Sequence, residues 1–202
     1  MEKLLLIGGG GHSRSCIDVV ETIGKYQIIG IIDSKLPPGE KVLGYPILGG
    51  DDKIQEYVKE VKNCLIAVGQ VKSFNSRMEL YYKLKSIGAI FPCIISPRAH
   101  VSKYSELGEG TIVMHDALIN ANAKVGKNCI INTKALLEHD VLVGDFCHIS
   151  TASVLNGGAN IGNCTFIGSN SVTKEGVKVG DRCIVSAGMF IKNNLASDLV
   201  LK

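Results

Sequence analysis

One histidine flanked by two carboxylates forms the cluster in this sequence best suited to acid–base chemistry. His139 stands between Glu138 and Asp140, and His148 follows nine residues later. A carboxylate that orients an imidazole stabilises its protonated form, which raises its pKa and makes it a better general base near neutral pH. Gly157 precedes a second glycine, where a bare backbone amide can donate to an oxyanion. The cluster predicts proton abstraction coupled to stabilisation of a developing negative oxygen.

A glycine loop near the N-terminus is the second candidate site. Residues 8–11 are all glycine and lie between a predicted strand at 3–7 and a predicted helix at 13–24. Unobstructed backbone N–H groups at a helix N-terminus bind phosphate. Asp33 follows the next predicted strand, where an acidic residue often meets a ribose or a base. The alternative interpretation is a tight strand–helix turn that binds no ligand.

The elements that must position His139 follow a strict six-residue repeat. From Val101 to Ile191 an aliphatic residue returns at every sixth position, with Thr173 as the exception, and a small residue usually follows four positions later. Neither a helix nor an ordinary strand has this period, whereas a parallel β-helix does. Three hexads would form one triangular coil of about eighteen residues, and stacked coils would form a solenoid. His139 and its carboxylates lie outside the aliphatic slot that Leu137 fills.

Histidine spacing argues against a metal site on such a solenoid. Ligands on stacked coils would be eighteen residues apart, but His115, His139 and His148 are separated by 24 and 9 residues. The sequence has no C-x-x-C pair either. We therefore predict that the protein uses no metal.

The first part of the chain alternates predicted strands and helices, which indicates βαβ units and a small parallel sheet. Strands are predicted at 3–7, 27–32, 64–68 and 89–94, helices at 13–24, 51–61 and 73–87, and a Pro/Gly-rich excursion at 35–48. These elements amount to half of a dinucleotide-binding fold. The segment is too short to contain the second half that an NAD enzyme needs, so we predict that the protein does not bind NAD. The predicted domains are a Rossmann-like domain at 1–95 and a β-helix at 96–202.

Composition restricts the classes of function. The 202 residues are 46% hydrophobic and carry a net charge of +3, which is too weak to favour a nucleic-acid partner. The chain shows neither a signal peptide nor a stretch long enough to insert into a membrane. Seven cysteines, several in the small-residue slot of the repeat, are interpreted as unpaired core thiols. We expect a cytoplasmic protein.

Two segments give the chain a specific resemblance. IGGGGHSRSCIDVVE at 7–21 and INTKALLEHDVLVGDFCHIS at 131–150 are similar to motifs of the NeuD/PglD-type bacterial sugar O-/N-acyltransferases, a group within the hexapeptide-repeat acyltransferases. The resemblance covers nearly the whole chain and implies a Rossmann-like domain followed by a left-handed parallel β-helix. It also implies a homotrimer with acetyl-CoA in the groove between two β-helices, so that active sites lie between subunits.

The resemblance implies a role for individual residues. His139 would be the general base, Asp140 would raise its basicity beside Glu138, and Asn132 would line the same pocket. Coenzyme contacts would come from His148, Gly157, Ser169 and Ala187. The nucleotide sugar would be held by Gly10, Gly11, His12, Asp33, Ser34 and Gly69. Ser34 stands where some members have a second Asp, which leaves the nucleotide base open.

The activity expected from this resemblance is acetyl transfer from acetyl-CoA to the amine of a nucleotide-linked amino sugar, for example a UDP-4-amino-4,6-dideoxy sugar, in bacterial surface-glycan biosynthesis. Two alternatives remain at this stage. The acceptor could be a hydroxyl, as in O-acetylation of a sialic acid, or the protein could be a non-catalytic trimer that binds a nucleotide sugar.

Overall fold

The computed structural model describes residues 1–71 and 73–202, which form two compact units. One unit contains Met1–Gly69 and Asn75–Ile94, and the other contains Gln70–Phe74 and Ile95–Lys202. The segment Gln70–Phe74 therefore belongs with the second unit, which a single boundary after residue 95 does not describe. The binding and transfer functions assigned to 1–95 and 96–202 stay predictions.

The first unit is a small α/β fold, as predicted. Its elements are β1 (Glu2–Ile7), α1 (Gly11–Ile23), β2 (Tyr26–Ile32), β3 (Lys41–Val42), β4 (Tyr45–Gly49), a 3-10 turn (Asp51–Lys53), α2 (Ile54–Glu60), β5 (Cys64–Ile66) and α3 (Asn75–Ser86). The sheet has the order β3-β4-β2-β1-β5, in which β1 is parallel to β2 and β5, β2 is parallel to β4, and only β3 is antiparallel. Parallel strands bring their carboxyl ends to one edge, where ligands bind in open α/β sheets.

Buried aliphatic side chains explain the central elements of this unit. Leu4, Leu5 and Leu6 of β1 have no exposed surface, as expected for an inner strand of a parallel sheet. Helix α1 buries one face that includes Val19 and Val20, and it ends at Gly24 in the left-handed conformation. Burial of β1 in the sheet and of one face of α1 therefore holds the glycine loop that connects them.

Two predictions for this unit were wrong in detail. The excursion at 35–48 contains β3 and β4, because Gly44 at φ 89 makes the turn between two short strands. The strand predicted at 89–94 is reduced to one bridge between Ile90 and Asn63, followed by the two-residue strand β6 (Ile94–Ile95). Pro92 lies in the interrupted stretch and lacks the N–H that a continuous ladder needs.

The second unit is a parallel β-helix, which confirms the interpretation of the six-residue repeat. Two-residue strands stack in parallel with a register of eighteen residues, for example Leu118 beside Leu136. The first face consists of His100–Val101, Leu118–Ile119, Leu136–Leu137, Val154–Leu155, Val172–Thr173 and Phe190–Ile191. The second face consists of Glu106–Leu107, Lys124–Val125, Leu142–Val143, Asn160–Ile161 and Lys178–Val179. The third face includes Ile112–Val113, Ile130–Ile131, His148–Ile149, Phe166–Ile167, Ile184–Val185 and Val200–Leu201.

The turns of the solenoid use a left-handed residue at a six-residue interval. Asn122, Lys134 and Asp140 have φ values of 61°, 60° and 61°, and glycine takes this position at Gly158 and Gly176. A left-handed backbone is unfavourable for residues other than glycine. Stacking compensates this cost, because the N–H of most of these residues donates to a carbonyl of the preceding coil, as Asp140 N does to Ala121 O at 3.2 Å.

At the turn between the second and third faces, hydrogen bonds explain why small residues with a donor group occupy the repeat position. Cys129 and Cys147 donate their thiols to Gly144 O and Gly162 O, and Thr165 donates its hydroxyl to Gly180 O in the same way. Burial raises the pKa of the Cys147 thiol far above its usual value, so the group stays protonated and donates. Cysteine and threonine thus perform one structural task in this column.

No helix within 1–71 and 73–202 is both long enough and apolar enough to span a bilayer.

Candidate active site

A cavity of about 550 Å³ opens at the carboxyl ends of β1, β2 and β5 in the first unit. We call it the strand-end cavity. It is lined by all six nucleotide-site residues of the prediction: Gly10, Gly11, His12, Asp33, Ser34 and Gly69. Its other walls include Lys35, Asp51, Ser76, Glu79, Leu80 and Lys83. The structure therefore brings together the residues that the sequence placed in one nucleotide pocket.

The amino end of α1 supplies the anion-binding part of this cavity. The helix begins at Gly11, its N-cap Gly10 offers no side-chain cap, and no acidic residue lies in its first turn. A Cβ placed on Gly10 or Gly11 would meet nothing within 4 Å, so no other residue fills the space beside them. Uncapped N–H groups and the positive end of the helix dipole together favour a phosphate.

Asp33 holds the backbone around the cavity. Its Oδ2 accepts the N–H of Gly9 at 2.7 Å, and its Oδ1 accepts the N–H groups of Lys35 and Leu36 at 2.8 and 3.1 Å. Partial burial alone would raise the pKa of this carboxyl, but the three N–H donors bring the pKa below its usual value. Both oxygens are thus already engaged, and contact with a ribose or base stays a prediction.

Arg77 fixes the wall of the cavity that contains Gly69. The guanidinium group is buried in the unit and donates from Nη1 to Ile66 O at 2.8 Å and to Val68 O at 2.7 Å. These bonds tie α3 to the end of β5. This role was not predicted, because Arg77 lies within a helix whose other charged residues face solvent.

In the second unit, His139 lies on the turns between the first and second faces, which we call the His139 corner (residues 120–123, 138–141, 156–159 and 174–177). His139 Nδ1 and Asp140 Oδ2 are 2.8 Å apart. The hydrogen bond that His139 donates to Asp140 is the largest cause that raises the pKa of His139, and the charge of Glu138 adds to it. Since Nδ1–H donates to the carboxylate, Nε2 is left as the basic nitrogen.

Two asparagines of the preceding coil hold the carboxylates beside His139. Asn122 Nδ2 donates to Asp140 Oδ1 at 2.6 Å, and Asn120 Nδ2 donates to Glu138 Oε2 at 2.9 Å. The Asn122 bond is the largest cause that lowers the pKa of Asp140, so the carboxylate stays ionised. Neither asparagine was predicted as part of the site, although each lies eighteen residues before its partner, which is the length of one coil.

Gly157 lies one coil after His139 and directly against its ring. A Cβ on Gly157 would come within 2.7 Å of both Cε1 and Nε2 of His139, so only glycine leaves the imidazole in place. Among the residues that the structure describes, none accepts the N–H of Gly157, whereas Gly158 N donates to His139 O at 3.0 Å. A free amide beside a basic nitrogen is the arrangement that stabilises an oxyanion during acyl transfer.

His148 and Asn132 form a separate pair near the third face. His148 is 6% exposed, its Nδ1–H donates to the Gln70 carbonyl, and its Nε2 accepts from Asn132 Nδ2 at 3.0 Å. Its ring also meets Phe166 edge-on at 5.1 Å. Both ring nitrogens are therefore occupied, and the structure does not bring this pair to the His139 corner. A contact between His148 and the coenzyme stays a prediction.

Ser169 and Ala187 lie one coil apart on the turns between the third and first faces. The Ser169 hydroxyl is 2.9 Å from that of Ser150, and Ser169 O accepts the N–H of Gly188 at 2.8 Å. The Ala187 backbone packs so closely on Gly168 that a Cβ there would lie 2.5 Å from Ala187 N. These turns border the first face on the side opposite the His139 corner.

No group of three or more metal-ligating side chains occurs in the described part of the chain. His115 accepts a hydrogen bond from the Ser96 hydroxyl at 2.7 Å, which suits a structural residue. The chemistry available at the His139 corner is therefore that of a base, its orienting carboxylate and an amide donor.

Family models match part of each unit of the chain. The model of the PglD N-terminal domain matches residues 3–84, and the model of the hexapeptide repeat of succinyl-transferase matches residues 158–193. No curated protein sequence matches the chain.

Solved structures match over almost the entire chain. A variant of perosamine N-acetyltransferase from Caulobacter crescentus, in complex with CoA and GDP-perosamine, is 31% identical over 99% of this chain and 93% of that chain, with a TM-score of 0.93. The acetyltransferase domain of PglB from Neisseria gonorrhoeae, in complex with acetyl coenzyme A, is 28% identical over 98% and 95%, with a TM-score of 0.92. WeeI from Acinetobacter baumannii is 20% identical over 99% and 96%, with a TM-score of 0.87, and shows the fold alone.

Proposed function

Because the chain belongs to the NeuD/PglD-type sugar acyltransferases of the hexapeptide-repeat superfamily, we propose that it transfers the acetyl group of acetyl-CoA to the amine of a nucleotide-linked amino sugar. The observation that carries the proposal is the His139–Asp140 pair with the free amide of Gly157 against the His139 ring. The Caulobacter relative, which has CoA and GDP-perosamine bound, supports the choice of both substrates.

The residues of the His139 corner divide the reaction between them. Acetyl-CoA supplies a thioester whose carbonyl carbon the amine of the sugar attacks. His139 Nε2 takes the proton that the nitrogen loses as the C–N bond forms, and Asp140 stabilises the resulting imidazolium ion. The N–H of Gly157 donates to the carbonyl oxygen as negative charge develops there. The C–S bond then breaks, and the thiolate leaves with the electron pair.

The strand-end cavity would hold the nucleotide part of the acceptor. The open amides of Gly10 and Gly11 at the start of α1 suit the two phosphates, with His12 beside them. Asp33 contributes by fixing Gly9 within the glycine loop, and Ser34 and Gly69 complete the walls. Binding energy from this remote part of the substrate would position the amine for attack.

We further propose a homotrimer in which the first faces meet around the threefold axis. The outward side of that face carries the apolar column Leu118, Leu136, Val154, Val172 and Phe190, of which Phe190 is 60% exposed. The outward side of the second face is mostly polar instead, with Glu106, Lys124, Asn160 and Lys178. An apolar strip of this kind is typical of a surface that a second copy covers.

This assembly supports the prediction that active sites lie between subunits. The first face is bordered on one side by the His139 corner and on the other by the turns that carry Ser169 and Ala187. Around a threefold axis, the His139 corner of one subunit would therefore lie next to Ser169 and Ala187 of the neighbouring subunit. The coenzyme would occupy the groove between them.

A thiol-release assay tests the proposed function. Acetyl-CoA is incubated with the protein and a panel of UDP-, GDP-, dTDP- and CMP-linked amino sugars, and the product is identified by mass spectrometry. We expect release that requires one of these amines, and His139→Ala should reduce kcat by about 10²–10⁴-fold while the assembly sediments unchanged. Transfer to a hydroxyl would establish the O-acetyl alternative, and binding of a nucleotide sugar without thiol release would support a non-catalytic trimer.

A further inference from the structure

Thr173 is the single exception to the aliphatic repeat, and it changes the hydrogen bonds of the turn beside His139. The side chain is fully buried, its Oγ1 accepts the N–H of Asn156 at 2.9 Å, and its carbonyl accepts Asn156 Nδ2 at 2.7 Å. We propose that Thr173 and Asn156 are positioning residues that keep the Gly157 N–H free for the oxygen of the thioester carbonyl. The proposal rests on the proposed function.

The corresponding position in other coils of the His139 corner is bonded differently. The N–H of Asn120 donates to Leu137 O, that of Glu138 to Leu155 O and that of Lys174 to Ile191 O, at 2.8–2.9 Å. In each case the acceptor is the backbone carbonyl of the next coil. At Asn156 the Thr173 hydroxyl accepts this N–H instead, and the Thr173 carbonyl becomes available to the Asn156 side chain.

At two other positions of this corner the side chain caps the next amide. Asn120 Oδ1 accepts the N–H of Ala121 at 2.8 Å, and Glu138 Oε2 accepts that of His139 at 3.4 Å. Asn132, at another corner, caps Thr133 N at 2.8 Å in the same manner.

Asn156 makes no such cap: its Nδ2 donates to the backbone carbonyl of Thr173, whereas the Nδ2 groups of Asn120 and Asn132 donate to side chains, which leaves their Oδ1 atoms on the next amide. An N–H that already has an acceptor in its own turn is a poor donor to an oxyanion. The Thr173 hydroxyl therefore leaves the amide of Gly157 open at the one turn that lies against the His139 ring.

Thr173→Val tests this step, because valine has nearly the same shape and restores the aliphatic repeat. Without the hydroxyl, the N–H of Asn156 would bond to the carbonyl of residue 173, and the freed Asn156 side chain would cap Gly157. We expect kcat to fall by about tenfold or more, towards the 10²–10³-fold that a lost oxyanion donor costs, with little change in either KM. Thr173→Ser, which retains the hydroxyl, should preserve most of kcat.

A second series leaves the buried Thr173 intact. Aspartate at position 156 cannot donate to the Thr173 carbonyl and would instead cap Gly157, so Asn156→Asp should lower kcat by about tenfold or more. Alanine at position 156 has no side-chain oxygen to accept the Gly157 N–H, so Asn156→Ala should lower kcat less than Asn156→Asp does. For the same reason, adding Asn156→Ala to Thr173→Val should recover most of the lost kcat.

Thr165→Val is the matched control. The Thr165 hydroxyl is also buried and accepts a backbone N–H of the next coil, that of Cys183 at 3.0 Å, but it lies on another corner. We expect a comparable loss of thermal stability and an unchanged kcat.

Three results would overturn the proposal: unchanged kcat in both Thr173→Val and Asn156→Asp, a loss that Asn156→Ala fails to relieve, or an equal loss in Thr165→Val. Absence of acetyl transfer by the wild-type protein would instead contradict the proposed function.

Discussion

Gly157→Ala should disable the enzyme by moving the base rather than by unfolding the chain. Gly157 does not have the left-handed backbone that disfavours alanine, but its new Cβ would lie 2.7 Å from His139 Cε1 and Nε2, where ordinary contact begins at 3.4 Å. The ring must therefore retreat by the difference, about 0.7 Å, and a misplacement of about 1 Å can cost 10²-fold in rate. We expect kcat to fall by about 10²-fold. Because the His139 side chain is 65% exposed, the ring can move into solvent, so the melting temperature should change little.

A double-mutant cycle separates this effect from any general damage. Thiol release is measured for wild type, Gly157→Ala, His139→Ala and the double variant, together with the melting temperature of each. If the methyl group acts by displacing the ring, Gly157→Ala should cost almost nothing further once His139 is gone. Full activity of Gly157→Ala, or an undiminished loss in the His139→Ala background, would refute the reasoning.

Three further predictions concern the pKa of His139, the buried thiol of Cys147 and the apolar first face. Asp140→Asn removes the largest cause that raises the pKa of His139, so this pKa should fall. Because the neutral imidazole is the base, the acid limb of the kcat/KM profile should move to lower pH, and the plateau should fall. An acid limb at the wild-type pH would contradict this prediction. Cys147→Thr should unfold at nearly the same urea concentration as wild type, because Thr165 makes the equivalent bond, whereas Cys147→Val loses the donor to a buried carbonyl and should cost about 1–3 kcal/mol. Leu136→Lys places a charge on the apolar first face and should give monomers in sedimentation velocity together with loss of thiol release; an active trimer would exclude this face as the interface.

The solenoid and the contact between His139 and Asp140 were predictable because their signals are local or strictly periodic. The six-residue repeat specifies which residues point inward, and Asp140 is the neighbour of His139 in sequence. The glycine loop was also recognisable, since a strand, four glycines and a helix follow each other directly. The strands between Lys41 and Gly49 were missed because the turn-forming residues around them resemble an irregular loop.

Residues that act through distant partners could not be assigned in the same way. The sequence does not show that Asp33 would use both oxygens on backbone amides, or that His148 would be enclosed by Gln70, 78 residues away. In the sequence Thr173 is only an exception to the aliphatic repeat, whereas in the structure its hydroxyl accepts the N–H of Asn156. Side-chain hydrogen bonds between coils can be predicted only by comparing residues that are about eighteen positions apart.

The eighteen-residue coil also determines which insertions the enzyme can tolerate. His139 and Gly157 are one coil apart, and neighbouring parallel strands are spaced by about 4.8 Å. A duplicated coil placed between them would separate base and amide by one such step, even though every new residue would stack correctly. A duplicated coil after Ala187 would lengthen the solenoid and leave both groups in contact. The number of coils is therefore fixed within the His139 corner but free to vary beyond it. Enzymes of this kind can thus differ in the length of the C-terminal end of the solenoid while the reaction stays the same.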